Sequence, residues 1–346
     1  MKKNKQRYQK YKRLKFPHLP NWLLEITLIF CLSILGSCTH PEIGQTSNHP
    51  KIIRLDYAYY NPVSLVLKNK GWLEEDLQKS QVKIEWVLSQ GSNKALEFLN
   101  SRSVDFGSTA GAAALIGKAN GNPIKSIYVY SKPEWTALVT QSNSKIRSVT
   151  DLKGKRVAAT RGTDPYIFLL RALNEFGLSE KDIELIQLQH ADGRAALEKG
   201  DVDAWAGLDP QMAKTELENG SHLFFRKPEY NSYGVLNVRE EFAKQYPDSV
   251  EQVLKSYEKA RQWARENPQE LKQILIKESN LSDAVAAKQL ERTDLSNPNI
   301  GPAQKEVIIA AGDVLKKSGV IAPSVDVVAT VNELIDPQFV EKIASK

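Results

Sequence analysis

Cysteine and methionine are scarce, with two of each in 346 residues. Cys31 lies in an apolar stretch near the amino terminus, so a chain that starts at Cys38 keeps that thiol alone. This excludes a disulfide scaffold, a CxxC redox pair and a zinc knuckle in the body of the chain. Histidine is thin as well. His40 and His49 stand in a polar segment, leaving His190 and His222 in the body; neither forms HExxH or a paired metal site, and each reads as a surface or packing residue. Phosphate-loop spacing is also missing. Gly111-Ala-Ala-Ala-Leu-Ile-Gly117-Lys118-Ala119 is one residue too long, lacks the hydroxyl that would hold magnesium, and reads as an Ala-rich helix. Gly107-Ser-Thr-Ala-Gly111 misplaces its serine for a nucleophile elbow.

The formal net charge of +6 suggests a basic protein, but the charge is unevenly placed. Eight of the 47 basic residues and one of the 41 acidic ones precede Cys38, which leaves 39 against 40 and a net charge of −1 for the remaining 309 residues. A nucleic-acid partner loses its main support. The basic segment runs into an apolar core, Trp22–Leu35, closed by Gly36-Ser37-Cys38. Interrupted by Glu25 and short for a membrane span, it reads as an export signal over 1–37. Leu35-Gly-Ser-Cys38 looks like a bacterial lipoprotein box, with Cys38 as the lipid attachment point; an uncleaved anchor or an ordinary signal peptide is the alternative. Residues 38–50, polar with Pro and Gly, suit a flexible tether between a lipid and a folded body.

From Ile52 onward, strand-like runs alternate with helical ones, the pattern of an α/β fold with largely parallel sheets. One series covers strands at 52–57, 82–88, 104–107 and 124–130 with helices at 62–70, 92–100 and 109–120. A second covers strands at 155–159, 183–188, 203–207 and 222–225 with helices at 165–176, 191–199 and 211–219. A strand at 233–238 follows, and after Glu240 the pattern is almost wholly helical, punctuated by Pro247, Pro268, Pro298 and Pro302. Val104-Asp105 and Val202-Asp203 each end a helix and begin a strand at an offset of 98 residues. Either two short βα units coincide, or two lobes of like topology lie end to end with a cleft between them.

Several segments carry a family pattern: Lys70-Gly-Trp-Leu-Glu74, Leu99-Asn-Ser-Arg-Ser-Val-Asp-Phe-Gly-Ser-Thr109, Val149-Thr-Asp-Leu-Lys-Gly-Lys-Arg-Val-Ala158, and Ala191-Asp-Gly-Arg194 through Trp205 to Asp209-Pro210. In this order, over roughly residues 51–270, they resemble the aliphatic sulfonate, taurine and nitrate binding proteins of bacterial ABC importers, with the aliphatic sulfonate group the nearest match. The resemblance implies a type II periplasmic-binding-protein fold. Lobe 1 is expected from 51–133 and 233–346, and lobe 2 from 134–232. It also implies a monomer that performs no chemistry on its ligand, needs no metal or cofactor, and hands a small organic anion to a permease and its ATPase on the outer side of the cell membrane. Nitrate, a thiamine-precursor pyrimidine, or an enzyme on the same scaffold are the alternatives.

Members of that family hold anion oxygens with N–H groups and hydroxyls at helix starts, which directs attention to three places. Ser108 and Thr109 precede the Ala-rich helix; Arg161, Gly162, Thr163 and Asp164 precede the second-lobe helix that starts near Pro165; Gln90 ends the second strand. Each segment also reads as a plain helix cap, and Arg161 as a solvated charge. Tyr60, beside Tyr59, and Trp135, at the passage between lobes, are candidate cleft walls or packing residues. Trp205 and Asp209 occupy positions that lie at the cleft in the family. An acidic Asp209 favours a ligand that carries an amine or hydroxyl, or else caps the helix after Pro210. The chain has Ala110-Gly111 where the sulfonate group often has Gly-Asp, and Arg161 in place of Lys.

Overall fold

The computed structural model describes residues 49–344. The expected export signal, Cys38 and most of the tether therefore lie outside the described residues. Among those described, no helix is long and apolar enough to cross a membrane.

The first series consists of β1 (Ile52–Tyr57), α1 (Pro62–Lys70), α2 (Trp72–Leu77), β2 (Lys83–Leu88), α3 (Ser92–Asn100), β3 (Phe106–Ala110), α4 (Gly111–Ala119) and β4 (Ile124–Pro133). The second consists of β5 (Thr136–Thr140), β6 (Arg156–Ala159), α5 (Asp164–Glu175), β7 (Glu184–Gln187), α6 (His190–Lys199), β8 (Ala204–Leu208), α7 (Gln211–Asn219) and β9 (His222–Phe225). The chain returns through β10 (Gly234–Arg239) to α8 (Glu240–Gln245), α9 (Pro247–Glu266), α10 (Pro268–Ser279), α11 (Asp283–Glu291), the two-residue β11 (Thr293–Asp294), α12 (Pro302–Lys317), α13 (Val327–Leu334) and α14 (Gln338–Ala344).

Local chemistry explains many of these boundaries. Pro62, Pro247, Pro268 and Pro302 open α1, α9, α10 and α12, where the missing N–H would have no partner and the fixed φ suits the first turn. Asn61 accepts the Ser64 N–H at the start of α1, and Gly71, at φ +67°, ends that helix in the left-handed conformation.

Two sheets result, in the orders β11-β4-β10-β3-β1-β2 and β7-β6-β8-β5-β9. They are mixed, where the alternation of elements predicts largely parallel ones. In each sheet the first strand after a passage from the other lobe runs antiparallel to both neighbours, β10 between β3 and β4 and β5 between β8 and β9, and the short β11 adds an antiparallel edge on β4. With that strand in the same slot, β2-β1-β3-β10-β4 and β7-β6-β8-β5-β9 have one topology. The Val-Asp echo is therefore structural. Asp105 exchanges two hydrogen bonds with the Arg54 backbone, giving its N–H to Arg54 O and accepting the Arg54 N–H on Oδ2, each at 2.8 Å. Asp203 does the same with Arg156, again at 2.8 Å. Asp105 locks β3 against β1, and Asp203 locks β8 against β6.

The returning helices cover the first sheet and brace the second lobe: α9 packs on α1, α12 lies against both α4 and α5, and α11 contacts α7. The passages between the lobes meet at one carboxylate. Asp164, opening α5, accepts Trp135 Nε1–H at 2.9 Å from one passage, and the Ser232 N–H at 3.0 Å and Oγ–H at 2.5 Å from the other.

Candidate functional site

Strand carboxyl ends of both sheets open onto one cavity of about 240 Å³. Tyr59 and Tyr60 follow β1; Leu88 ends β2, and Ser89 and Gln90 follow it; Gln189 through Asp192 lead from β7 into α6; Leu208 through Gln211 lead from β8 into α7. This is where a doubly wound α/β architecture places its ligands. A larger groove of about 330 Å³ between α5 and α12 carries no buried unpartnered side-chain atom among its lining residues.

Helix amino ends give the cavity its polarity. Neither α3 nor α6 has a side-chain cap, so their first N–H groups remain free to meet a ligand at the positive end of each helix. The two helices belong to opposite lobes and approach closely: a Cβ on Gly91 would stand 2.9 Å from His190 Nε2 and 2.8 Å from Asn93 Oδ1. On the same face, a Cβ on Gly162 would lie 3.5 Å from Asn93 Cβ.

His190 is not the surface or simple packing residue that its isolation in the sequence suggests. It is 4% exposed and lines the cavity, and burial lowers its pKa to about 3, so the ring is neutral. Thr160 Oγ1 donates to Leu188 O at 2.7 Å and so meets His190 Nδ1, 3.3 Å away, as an acceptor. That arrangement assigns the proton to Nδ1 and leaves the Nε2 lone pair without a partner. Gln189 Oε1 and Asn93 Oδ1 are likewise buried and unpartnered.

Asp209 is the buried acid of the wall. Its Oδ1 accepts the Ala213 N–H at 2.8 Å in the first turn of α7, as a helix cap would. Its Oδ2 lies 3.5 Å from Arg292 Nη1, a long ion-pair contact that gives neither atom a hydrogen bond. Burial pushes the carboxyl up to about 7 against the opposing pull of Arg292.

Of the residues singled out in the sequence, Tyr60, Gln90 and Asp209 line the cavity. Gly162, in the left-handed region at φ +76°, abuts α3 across the cleft. The others are engaged elsewhere. Ser108 Oγ donates to Asp56 and accepts from Asn61 Nδ2, both at 2.8 Å, and Thr109 Oγ1 accepts from Asn237 Nδ2 at 2.8 Å. The N–H groups that open α4 are also taken, Gly111 by Ser232 O and Ala112 by Ser232 Oγ. Thr163 Oγ1 donates to Thr160 O, and Asp164 binds the two passages. Arg161 stands in solvent, paired with Glu180 and donating to Tyr166 OH at 3.0 Å. Trp135 supports Tyr60 from behind, edge to ring at 5.9 Å. Trp205 is buried beneath α6, where a Cβ on Gly193 would be 2.7 Å from its Nε1, so it seats the helix without reaching the cavity.

A two-lobed α/β fold of this topology, with a cleft between helix starts, is the type II periplasmic-binding-protein architecture. The chain belongs to the NMT1/THI5-like family, matched over residues 64–271. A protein of Escherichia coli strain K12 named for aliphatic sulfonates binding is 30% identical over 70% of this chain and 76% of its own. One from Bacillus subtilis strain 168 with the same name is 27% identical over 92% and 95%. The alkanesulfonate-binding protein SsuA from Xanthomonas axonopodis pv. citri, solved bound to MOPS, superposes with a TM-score of 0.75 at 26% identity, covering 84% of this chain and 99% of its own. An enzyme is related as well: 4-amino-5-hydroxymethyl-2-methylpyrimidine phosphate synthase of Uromyces fabae is 29% identical over 46% of this chain and 45% of its own.

Proposed function

We propose that this protein is the extracytoplasmic receptor of an ABC importer, lipid-anchored through Cys38, which closes its two lobes on a small organosulfonate anion and delivers it to the permease. The observation that carries the reading is the meeting of two uncapped helix amino ends, α3 and α6, from opposite lobes at one cavity whose lining includes no Lys or Arg. A sulfonate spreads one charge over three oxygens and can accept from several N–H groups at once. Charge-assisted bonds contribute about 1.5–3 kcal/mol each. A few of them, together with apolar contact to Leu88, Leu208 and Tyr60, suit roughly micromolar capture at about −8 kcal/mol.

The names of the sulfonate-binding relatives and the MOPS complex, MOPS being itself a sulfonate, support this ligand class. Binding without chemistry suits the wall, because His190 has no carboxylate partner on Nδ1 and is held neutral. Titration calorimetry with ethanesulfonate, taurine, nitrate and 4-amino-5-hydroxymethyl-2-methylpyrimidine tests the reading. Heat from the sulfonates and none from the pyrimidine is expected. Binding of the pyrimidine alone, or its conversion to a product, would overturn it.

A further inference from the structure

Asp209 poses an electrostatic problem for an anion receptor. Of the two carboxylates on the cavity wall, Asp192 is exposed to water, whereas Asp209 is 2% exposed and Oδ2 has no hydrogen bond. The cation beside it is shared. Arg292 gives Nη2 to Glu216 at 2.5 Å and only approaches Asp209 with Nη1, so two carboxylates face one guanidinium. Among the described side chains, no further cation is free to face Asp209: His190 is neutral, Tyr59 and Tyr60 are un-ionised phenols, and Arg226, across from Asp209 and Glu216, is clamped by Glu134 at 2.7 and 2.9 Å. An anion that enters the cavity would add a second negative charge beside a carboxylate that shares its one cation, and the helix amino ends set only partial charges against the pair.

Resting on the proposed sulfonate capture, we propose that Asp209 fixes the charge form in which the ligand is taken. A sulfonate with no cationic end enters together with one proton from solvent, which comes to rest on Asp209 Oδ2, and the neutral acid then donates its O–H to a sulfonate oxygen. Arg292 is a positioning residue that sets how readily Asp209 accepts that proton. A carboxyl already pushed up to about 7 is roughly half protonated at neutral pH before the ligand arrives, so taking up the rest of the proton costs little there. A zwitterionic aminosulfonate brings its own positive end and needs no proton.

The test is calorimetry of ethanesulfonate binding to the full-length protein in phosphate and in Tris, buffers whose heats of ionisation differ. Uptake of about one proton per sulfonate at alkaline pH is expected, with affinity falling about tenfold for each unit of pH rise above neutrality. Taurine should show neither effect. Asp209→Asn, which keeps the size and a donor, should bind ethanesulfonate with an affinity independent of pH. Should that variant fail to fold, Arg292→Gln serves: loss of its guanidinium raises the Asp209 pKa, so the pH-dependent loss should begin at higher pH. Ethanesulfonate binding to the wild type with no proton exchange and a flat pH profile would overturn the inference while leaving the receptor reading intact. An unchanged pH slope in Asp209→Asn would also overturn it. Absence of sulfonate binding at every pH would strike down the receptor reading and this inference with it.

Discussion

Gly91 and His190 face each other across the cleft so closely that a single methyl group on Gly91 would come within 2.9 Å of the His190 ring nitrogen. Gly91 has φ 171°, an extended conformation open to any residue, so proximity and not backbone strain favours glycine here. Gly91→Ala should therefore leave each lobe intact and hold the lobes apart. Overpacking of this kind costs about 1–3 kcal/mol. Sulfonate affinity should fall roughly tenfold or more in a titration while the melting temperature of the unliganded protein changes little.

His190 also links stability to pH. Its folded pKa of about 3 lies below the ordinary 6.5, so it contributes stability that is present above pH 6.5 and is lost as pH falls toward 3. Each unit of that depression corresponds to about 1.4 kcal/mol. Asp56 acts with the opposite sign: burial raises its carboxyl from 3.8 to about 6, so its contribution is fully present below 3.8 and is lost as pH rises through 6. Urea unfolding midpoints followed from neutral to mildly acidic pH should fall for the wild type relative to His190→Asn, whose profile retains the rising contributions of the raised carboxyls Asp56 and Asp209.

The junction of the two passages depends on Ser232, whose hydroxyl donates to Asp164 and accepts the Ala112 N–H. Ser232→Ala strands both buried partners. An unsatisfied buried group costs about 1–3 kcal/mol, and in a chain of this size each kcal/mol corresponds to roughly 2–4 °C. Calorimetric melting should fall by several degrees, whereas alanine at exposed Ser101 should leave the melt unchanged.

Arg161 provides a contrast. Exposed and paired with Glu180, it is outside the cavity lining, so Arg161→Ala should keep sulfonate affinity within about twofold, as expected for an exposed ion pair worth about 0–1 kcal/mol. A large loss in titration would mean that the arginine swings into the cleft on binding.

Much of the fold is written in local chemistry. Helix-opening prolines, the Gly71 stop and the Val-Asp pairs mark boundaries with signals a few residues long. Strand β5 is harder to read because all five of Thr136–Thr140 are buried, so no polar alternation marks it. The site is less legible for a related reason. Ser108, Thr109 and the start of α4 have the composition of an anion cradle, but Ser232, 120 residues later in the chain, takes the Ala112 N–H. Asp209 stands out through its Asp-Pro context. Arg292, which conditions it, comes from the helical return, where nothing in the local pattern points to the cleft. His190 is conspicuous only once α6 is seen to begin at the cavity.

A crystal structure grown with saturating ethanesulfonate tests the account most directly. The sulfonate should lie in the cavity between Tyr60 and Asp209, with its oxygens on the backbone N–H groups that open α3 and α6. An empty cavity, or a sulfonate bound only in the groove between α5 and α12, would contradict it.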